Sequence, residues 1–196
     1  MNRTGSCKRK TGETDVSVDV ELLSAVSSTI ETGVPFLDHM LNAVSRHGRL
    51  KLDVFCSGDT HIDDHHSVED IGICFGKALA GALGEKRGIH RFGFGSVPMD
   101  ESLSQVSIDL SGRGFFRYTG EKLSGYINTY AEELTIEFFH ALAFNAAMNI
   151  HISLLYGSNR HHIHESIFKS FAIALYTASR HDDILNNAVP STKGVI

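Results

Sequence analysis

The sequence predicts an α+β fold in which two pseudo-repeated β-β-α-β-α halves form a sheet-and-helix sandwich. A histidine-rich string occurs twice, each copy follows a run of alternating apolar residues, and each copy opens a stretch with helical apolar spacing. We place the first half at residues 1–86 and the second at residues 87–196, ending in a polar tail that closes over a site. A chain of 196 residues is long enough to bury a substantial core.

In the first half, alternating valines at positions 16, 18 and 20 are typical of a strand with one buried face. Pro35 suits the first turn of a helix, where its missing N–H is not needed. Apolar residues from Phe36 to Val44 continue that helix at the proper spacing. A second alternation over 50–56 predicts the next strand, and the apolar positions after His65 predict a second helix.

The second half repeats this order. Val106, Ile108 and Leu110 alternate as a strand, residues 134–146 have helical apolar spacing, and residues 148–152 alternate again. A last helix is predicted to follow His161. We expect the two halves to join near Gly84 to Gly95.

Composition excludes several classes of protein. The net charge of −5 gives no basic surface for nucleic acid, and the longest apolar run, 171–176, is too short for a membrane span. The first ten residues lack the apolar stretch of a secretory signal. Three cysteines at 7, 56 and 74 show no disulfide spacing. We therefore expect a cytoplasmic protein with reduced thiols.

The repeated string is H-H-x-x-E, at residues 65–69 and 161–165. On a helix, His65 and Glu69 share a face, whereas His65 and His66 diverge by about 100°. Each string therefore serves two metal positions, and each position takes ligands from both halves. Imidazole and carboxylate ligands suit manganese, iron or catalytic zinc, and the zinc-protease order H-E-x-x-H is absent.

Several basic residues stand beside glycine or hydroxyl residues, a context that suits phosphate binding. They are Arg91, Arg113, Lys169 and Lys193, the last within the run from Pro190 to Gly194. No Walker A or dinucleotide-binding glycine pattern is present, so a nucleotide fold is not indicated.

Longer motifs covering nearly the whole chain then identify a resemblance. The strings are T-G-E-T at 11–14, L-D-H-M-L at 37–41, H-G at 47–48, G-D-T-H at 58–61, D-H-H-S-V-E-D at 64–70, P-M-D-E at 98–101, D-L-S-G-R at 109–113, H-H-x-x-E at 161–165, F-K-S-F-A at 168–172 and P-S-T-K-G-V at 190–195. In combination they resemble the imidazoleglycerol-phosphate dehydratase family of histidine biosynthesis.

The resemblance implies a duplicated α+β fold, a hollow homo-oligomer of 24 subunits, and active sites between subunits that each hold two Mn²⁺ ions. The implied metal ligands are His39, His65, His66, Glu69, Glu137, His161, His162 and Glu165. Many family members carry histidine where this chain has Glu137. His140, one helical turn on, is the alternative source of that ligand.

The resemblance also implies the reaction, the dehydration of D-erythro-imidazole glycerol phosphate to imidazole acetol phosphate. The implied catalytic residues are Glu13, as acid and base, with His39, Glu69 and Glu165. The implied substrate-binding residues are Glu13, His39, His47, His65, Glu69, Arg91, Arg113, His161, Lys169, Ser191, Thr192 and Lys193. A non-catalytic metal-storage or metal-sensing cage and a two-metal phosphoester hydrolase are the alternative functions.

Overall fold

The computed structural model describes residues 3–196, which contain two groups of strands and helices in the same order. The first group is β1 (Thr4–Lys10), β2 (Thr14–Leu22), β3 (Ile30–Glu31), α1 (Pro35–Gly48), β4 (Leu50–Gly58) and α2 (His65–Leu83). The second is β5 (Phe92–Met99), β6 (Ser102–Asp109), β7 (Phe115–Thr119), α3 (Leu134–Asn145), β10 (Asn149–Tyr156) and α4 (Arg160–Ser179). A short hairpin of β8 (Tyr126–Ile127) and β9 (Tyr130–Ala131) precedes α3. The α+β class predicted from the sequence is confirmed.

The strands form one four-stranded sheet per group, with the orders β1-β2-β4-β3 and β5-β6-β10-β7. β3 and β7 run parallel to their neighbours, whereas the other pairs in these two sheets are antiparallel. The predicted β-β-α-β-α order lacked these third strands and is corrected to β-β-β-α-β-α. Both are edge strands whose partners lie far along the sequence, so a local pattern gives them little signal.

The helices cover one face of each sheet. α2 lies on β1 and β2, α4 lies on β5 and β6, α1 packs beside α4, and α3 packs beside α2. Glycines allow the close approach in both halves, because a Cβ at Gly5 would overlap the backbone of Ala78 and one at Gly93 that of Ala174. The inner face of β2 is buried, whereas Phe92 on the outer face of the second sheet is exposed.

The junction between the two groups runs from the end of α2 to the start of β5, and the division at residues 86 and 87 stays a prediction. Within residues 3–196, every helix is too short or too polar to cross a lipid bilayer.

Candidate active site

A three-residue cluster lies where the first turns of α1 and α4 meet. His39 projects from α1, and His161 and Glu165 project from α4, one helical turn apart. The Nε2 atoms of His39 and His161 lie 3.6 Å and 3.1 Å from the Oε2 atom of Glu165. Among the described residues, this is the one group of three histidine or acidic side chains whose ligand atoms all lie within 4.8 Å of one another. Two imidazoles and a carboxylate at such distances are able to hold a divalent cation.

Two basic side chains border this cluster. The Lys169 ammonium lies 2.6 Å from the Oε1 atom of Glu165. Burial alone would raise the pKa of Glu165, but the hydrogen bond from Lys169 and the nearby His39 lower it below its ordinary value. Partial burial, with the Lys169 charge, lowers the pKa of His47. At neutral pH the cluster therefore holds the ionised carboxylate of Glu165, with the neutral imidazole of His47 nearby.

The first turn of α2 carries a separate arrangement around His66. The Nδ1 atom of His66 lies 3.0 Å from Asp59 Oδ2 at the end of β4, and its Nε2 atom lies 3.7 Å from Glu13 Oε1. The hydrogen bond to Asp59 raises the pKa of His66. A carboxylate thus fixes the orientation of the ring through Nδ1 and directs Nε2 toward Glu13.

The second half repeats this arrangement. The Nδ1 atom of His162 lies 2.7 Å from Glu101 Oε2, and its Nε2 atom lies 3.9 Å from Asp100 Oδ2. The hydrogen bond between His162 and Glu101 raises the pKa of His162 and lowers that of Glu101. Glu101 Oε1 also accepts hydrogen bonds from the backbone N–H groups of Ser158 and Asn159. One carboxylate therefore joins the β5–β6 turn to the start of α4 and orients the histidine.

The turn that carries Glu13 is built by its neighbours. Thr11 Oγ1 accepts hydrogen bonds of 3.0 Å from the backbone N–H groups of both Glu13 and Thr14. The Thr14 hydroxyl donates to the buried Asp70 on α2, and Arg9 Nε lies 2.8 Å from the same carboxylate. These bonds hold the β1–β2 turn against the first turns of α2, so the Glu13 carboxylate lies beside His66.

The other predicted ligands lie on α2 and α3. His65 stands edge-on to His66, with ring centroids 6.0 Å apart, and Glu69 is exposed one turn further along α2. Glu137 is half-buried on the first turn of α3. His140 instead packs against the Phe144 and Phe116 rings, with centroids 4.6 Å and 6.2 Å away. α3 packs beside α2 as α1 packs beside α4, and Glu137 lies near the start of α3 as His39 lies near the start of α1.

The predicted phosphate-binding residues, apart from Lys169, lie away from these histidines. The Arg91 backbone N–H donates to the carbonyl of Ala178, in the last turn of α4, whereas His161 lies in the first turn, roughly 25 Å away along the helix axis. The Arg91 guanidinium is held by Asp109 at 2.7 Å and by the carbonyl of Pro190 at 2.8 Å. The tail residues Ser191, Thr192 and Lys193 follow directly after that carbonyl.

Arg113 also belongs to this second group of basic residues. Its Nη1 atom donates to the carbonyl of Ser111 at 3.4 Å. At the preceding glycine, Gly112, a Cβ would approach the C-terminal Ile196, so the tail ends beside this turn. The predicted anion-binding residues other than Lys169 and the His39 cluster therefore lie at opposite ends of α4 within one chain.

Sequence reasoning missed the carboxylates that orient the histidines. Asp59 and Glu101 lie in the motifs at 58–61 and 98–101, but those motifs alone indicate no role for them. The repeat supplied a signal for Glu101, because it precedes the β6 alternation as Glu13 precedes the β2 alternation. No local pattern marks Asp59 as a partner of His66.

Comparisons with known proteins agree with the resemblance. A family model described as imidazoleglycerol-phosphate dehydratase matches residues 32–175. Proteins of that name from Synechococcus sp. (strain WH7803) and Acetivibrio thermocellus are 50% and 47% identical over 196 residues, covering 100% of this chain and 97% and 100% of the relatives.

Two solved structures share the fold, each at 35% identity. The imidazoleglycerol-phosphate dehydratase of Staphylococcus aureus has a TM-score of 0.82 over 91% of this chain and 99% of that one. The Pyrococcus furiosus protein, solved in complex with (S)-C348, has a TM-score of 0.83 over 97% of this chain and 100% of that one.

Proposed function

The chain belongs to the imidazoleglycerol-phosphate dehydratase family and is a dehydratase of histidine biosynthesis, and from that premise we propose that its reaction depends on two Mn²⁺ ions per active site. The substrate is D-erythro-imidazole glycerol phosphate and the product is imidazole acetol phosphate. The observation that carries the proposal is the convergence of His39, His161 and Glu165 at the ends of two helices.

The donor set fits a divalent cation. His39, His161 and Glu165 would hold one ion, and by analogy with the sequence repeat Glu137, His65 and Glu69 would hold the other. Bound there, the ions would supply Lewis acidity that favours the deprotonated form of the substrate imidazole. The set contains no cysteine, so it does not resemble the cysteine-rich tetrahedral sites that hold structural zinc.

The carboxylates that orient His66 and His162 also support metal binding. A metal-ligating histidine usually donates its second ring N–H to a carboxylate or a carbonyl, which fixes the tautomer and the ring orientation. Asp59 and Glu101 accept in this way from the Nδ1 atoms, which leaves Nε2 of each ring as the ligand atom. Both Nε2 atoms face carboxylates of the β-turns rather than the His39 cluster, so these two histidines complete sites formed with other copies of the chain.

We assign the proton transfer to Glu13. Its carboxylate is exposed and lies 3.7 Å from His66 Nε2, so a substrate ring near His66 would present its side chain to it. As the base, Glu13 takes the proton from the side-chain carbon whose C–H bond breaks, while hydroxide leaves from the carbon next to the ring, and the proton and the hydroxide depart as water. The resulting enol becomes the ketone when its O–H proton moves to the carbon next to the ring, with Glu13 as the acid that delivers it. His39, Glu69 and Glu165 contribute by holding and orienting the imidazole.

The phosphate group needs a second copy of the chain. Arg91, Arg113 and the tail residues Ser191 to Lys193 lie at the end of α4 opposite the His39 cluster, so one chain cannot bring both to one small substrate. Arg and Lys side chains with hydroxyl groups suit a phosphate dianion. In the proposed assembly of 24 subunits, these residues of one chain face the histidines of another chain. Lys169 of that second chain lies beside its own His39 cluster.

The outer face of the second sheet also favours self-association. Phe92, Phe94 and Phe115 are each about half exposed there, at 60%, 52% and 48%. Exposed aromatic clusters of this kind mark protein interfaces. The cytoplasmic location stays a prediction.

Glu13→Gln tests the proposal, with Glu85→Gln as the matched control, because Glu85 is an exposed residue beyond the end of α2. The Mn²⁺-loaded proteins are incubated with imidazole glycerol phosphate, and acetol product, free phosphate, bound metal and sedimentation are measured. We expect Glu13→Gln to keep its metal and its assembly but to lose turnover by about 10²–10⁴-fold, with Glu85→Gln unchanged.

The same incubation separates the alternatives. Release of free phosphate by the unmodified protein would favour a phosphoester hydrolase, and bound metal with no product would favour a storage cage. Full turnover by Glu13→Gln would remove Glu13 from the mechanism.

A further inference from the structure

A cavity of about 730 Å³ lies between the C-terminal ends of α1 and α4 and the segment 23–28 that follows β2. Three arginines are among its lining residues: Arg46 on the last turn of α1, Arg49 just beyond that helix, and Arg180 just beyond α4. The phenol ring of Tyr176 forms part of its wall. Cavities of this volume accommodate small metabolites.

The cavity carries uncompensated positive charge. No aspartate or glutamate lines it, and the arginine ion pairs formed within residues 3–196 involve other arginines. The chain as a whole has a net charge of −5, so this positive charge is local to the cavity. A concave site with cations of one sign attracts anions.

Arg49 is held in place before any ligand arrives. It has the left-handed backbone of a helix C-cap, with φ 50° and ψ 49°, and its N–H bonds to the carbonyl of Ser45. Its guanidinium lies 4.8 Å above the centre of the Tyr176 ring, and its Nη1 donates to the Tyr176 hydroxyl at 3.2 Å. The carbonyl of Arg49 also accepts from the N–H of Ser24, which ties the cavity wall to the helix end. Less side-chain entropy is lost on binding when the donor is already fixed.

Basic residues near a helix C-terminus also stabilise the helix by interacting with its negative end. That role accounts for Arg46 and Arg180 taken singly. It does not account for three arginines around one cavity, or for the aromatic support of Arg49.

The cavity is separate from the candidate active site. Tyr176 lies fifteen residues after His161 on α4, roughly 22 Å along the helix, and His39 lies at the other end of α1. None of the residues assigned above to metal, proton transfer or substrate phosphate lines the cavity.

We propose that this cavity binds a small phosphorylated molecule at a second site. Its phosphate group lies between the guanidinium groups of Arg46, Arg49 and Arg180, which present forked N–H donors to phosphate oxygens. The remainder of the molecule packs against the Tyr176 ring and the apolar side chains of Leu23 and Val26. The site is independent of the proposed metal chemistry.

A single tryptophan gives a local reporter, because the chain contains none. Tyr176→Trp is titrated with inorganic pyrophosphate in the full assembly, with and without Mn²⁺, and acetate at equal ionic strength serves as the comparison. We expect a saturable change in emission with pyrophosphate and none with acetate. Adding Arg49→Gln should weaken the apparent affinity roughly tenfold or more, whereas Arg87→Gln, whose side chain is paired with Glu85, should not.

A calorimetric titration of the unsubstituted chain and of the Arg49→Gln, Arg180→Gln double variant provides a measurement that does not need the tryptophan. We expect the double variant to lose the pyrophosphate site in the cavity and to keep pyrophosphate binding at the substrate-phosphate residues of the active site. Equal pyrophosphate binding by the two proteins would overturn the proposal, as would an emission change that acetate reproduces. A cavity that accepts no pyrophosphate because another subunit fills it would overturn it as well.

Discussion

Acid is expected to destabilise the metal-free fold through His164. This side chain on α4 has no exposed surface, its Nδ1 atom lies 2.8 Å from Thr135 Oγ1, and burial lowers its pKa from 6.5 to about 4. The native imidazole is therefore neutral in a range of pH where the unfolded chain would bind a proton. The stability from this group is complete above pH 6.5 and is lost as the pH falls toward 4.

The size of the effect follows from the two pKa values of His164. A shift from 6.5 to about 4 corresponds to about 3 kcal/mol when the pH is well below both values, and to about 2 kcal/mol at pH 5. The free energy of unfolding is measured in urea at pH 7.5 and pH 5, at one fixed protein concentration because subunit association contributes. The proteins compared are the metal-free chain, His164→Gln, and His140→Gln as an exposed control.

We expect the unsubstituted chain and His140→Gln to lose about 2 kcal/mol more than His164→Gln between these pH values. The raised pKa values of His66 and His162 act in the opposite direction, but they are common to all three proteins and cancel in the comparison. An equal loss in all three would refute the reasoning. That result would mean that Glu132, whose Oε2 lies 3.7 Å from His164 Nε2, stabilises the protonated ring as an ion pair.

Three further predictions concern the packing and the assembly. Asp70→Ala should lower the free energy of unfolding by about 2–3 kcal/mol, because it leaves the Thr14 hydroxyl and Arg9 without their buried partner. The control Asp15→Ala removes an exposed ion pair and should change the free energy of unfolding by less than about 1 kcal/mol. Equal effects of the two variants in urea unfolding would contradict the role given to Asp70. Gly76→Ala should cost about 1–3 kcal/mol, because the new Cβ would lie 2.7 Å from the Asn145 Cβ; an unchanged urea midpoint would show that α2 and α3 adjust freely. Chelation of the Mn²⁺-loaded protein should dissociate the assembly, since we place ligands of one site on different chains, and an unchanged sedimentation profile would count against shared ligands.

The parts of the fold that local sequence determines were predictable. α1 begins at Pro35, and α2 begins at His65 at the first H-H-x-x-E string, because caps and apolar periodicity act within a few residues. β3 and β7 were missed because each pairs in parallel with a strand far along the chain, and β3 has only two residues. Their positions depend on the assembled sheet rather than on their own residues.

The candidate site was predictable where helix geometry decides it. The divergence of adjacent histidines by about 100° agrees with the structure, in which His161 faces Glu165 and His162 faces Glu101. The approach of His39 to this pair depends on α1 packing beside α4, and spacing along the sequence contains no information on that contact. The separation of Arg91 from the histidines likewise depends on tertiary packing, which the local sequence does not reveal.

Metal removal tests the proposed metal dependence most directly. The purified protein is stripped with chelator, its metal content per chain is determined, and formation of imidazole acetol phosphate is followed before and after Mn²⁺ is restored. We predict two ions per chain in the native protein, loss of turnover on stripping, and recovery with Mn²⁺. Undiminished turnover by protein verified to be free of metal would contradict the role given to His39, His161 and Glu165.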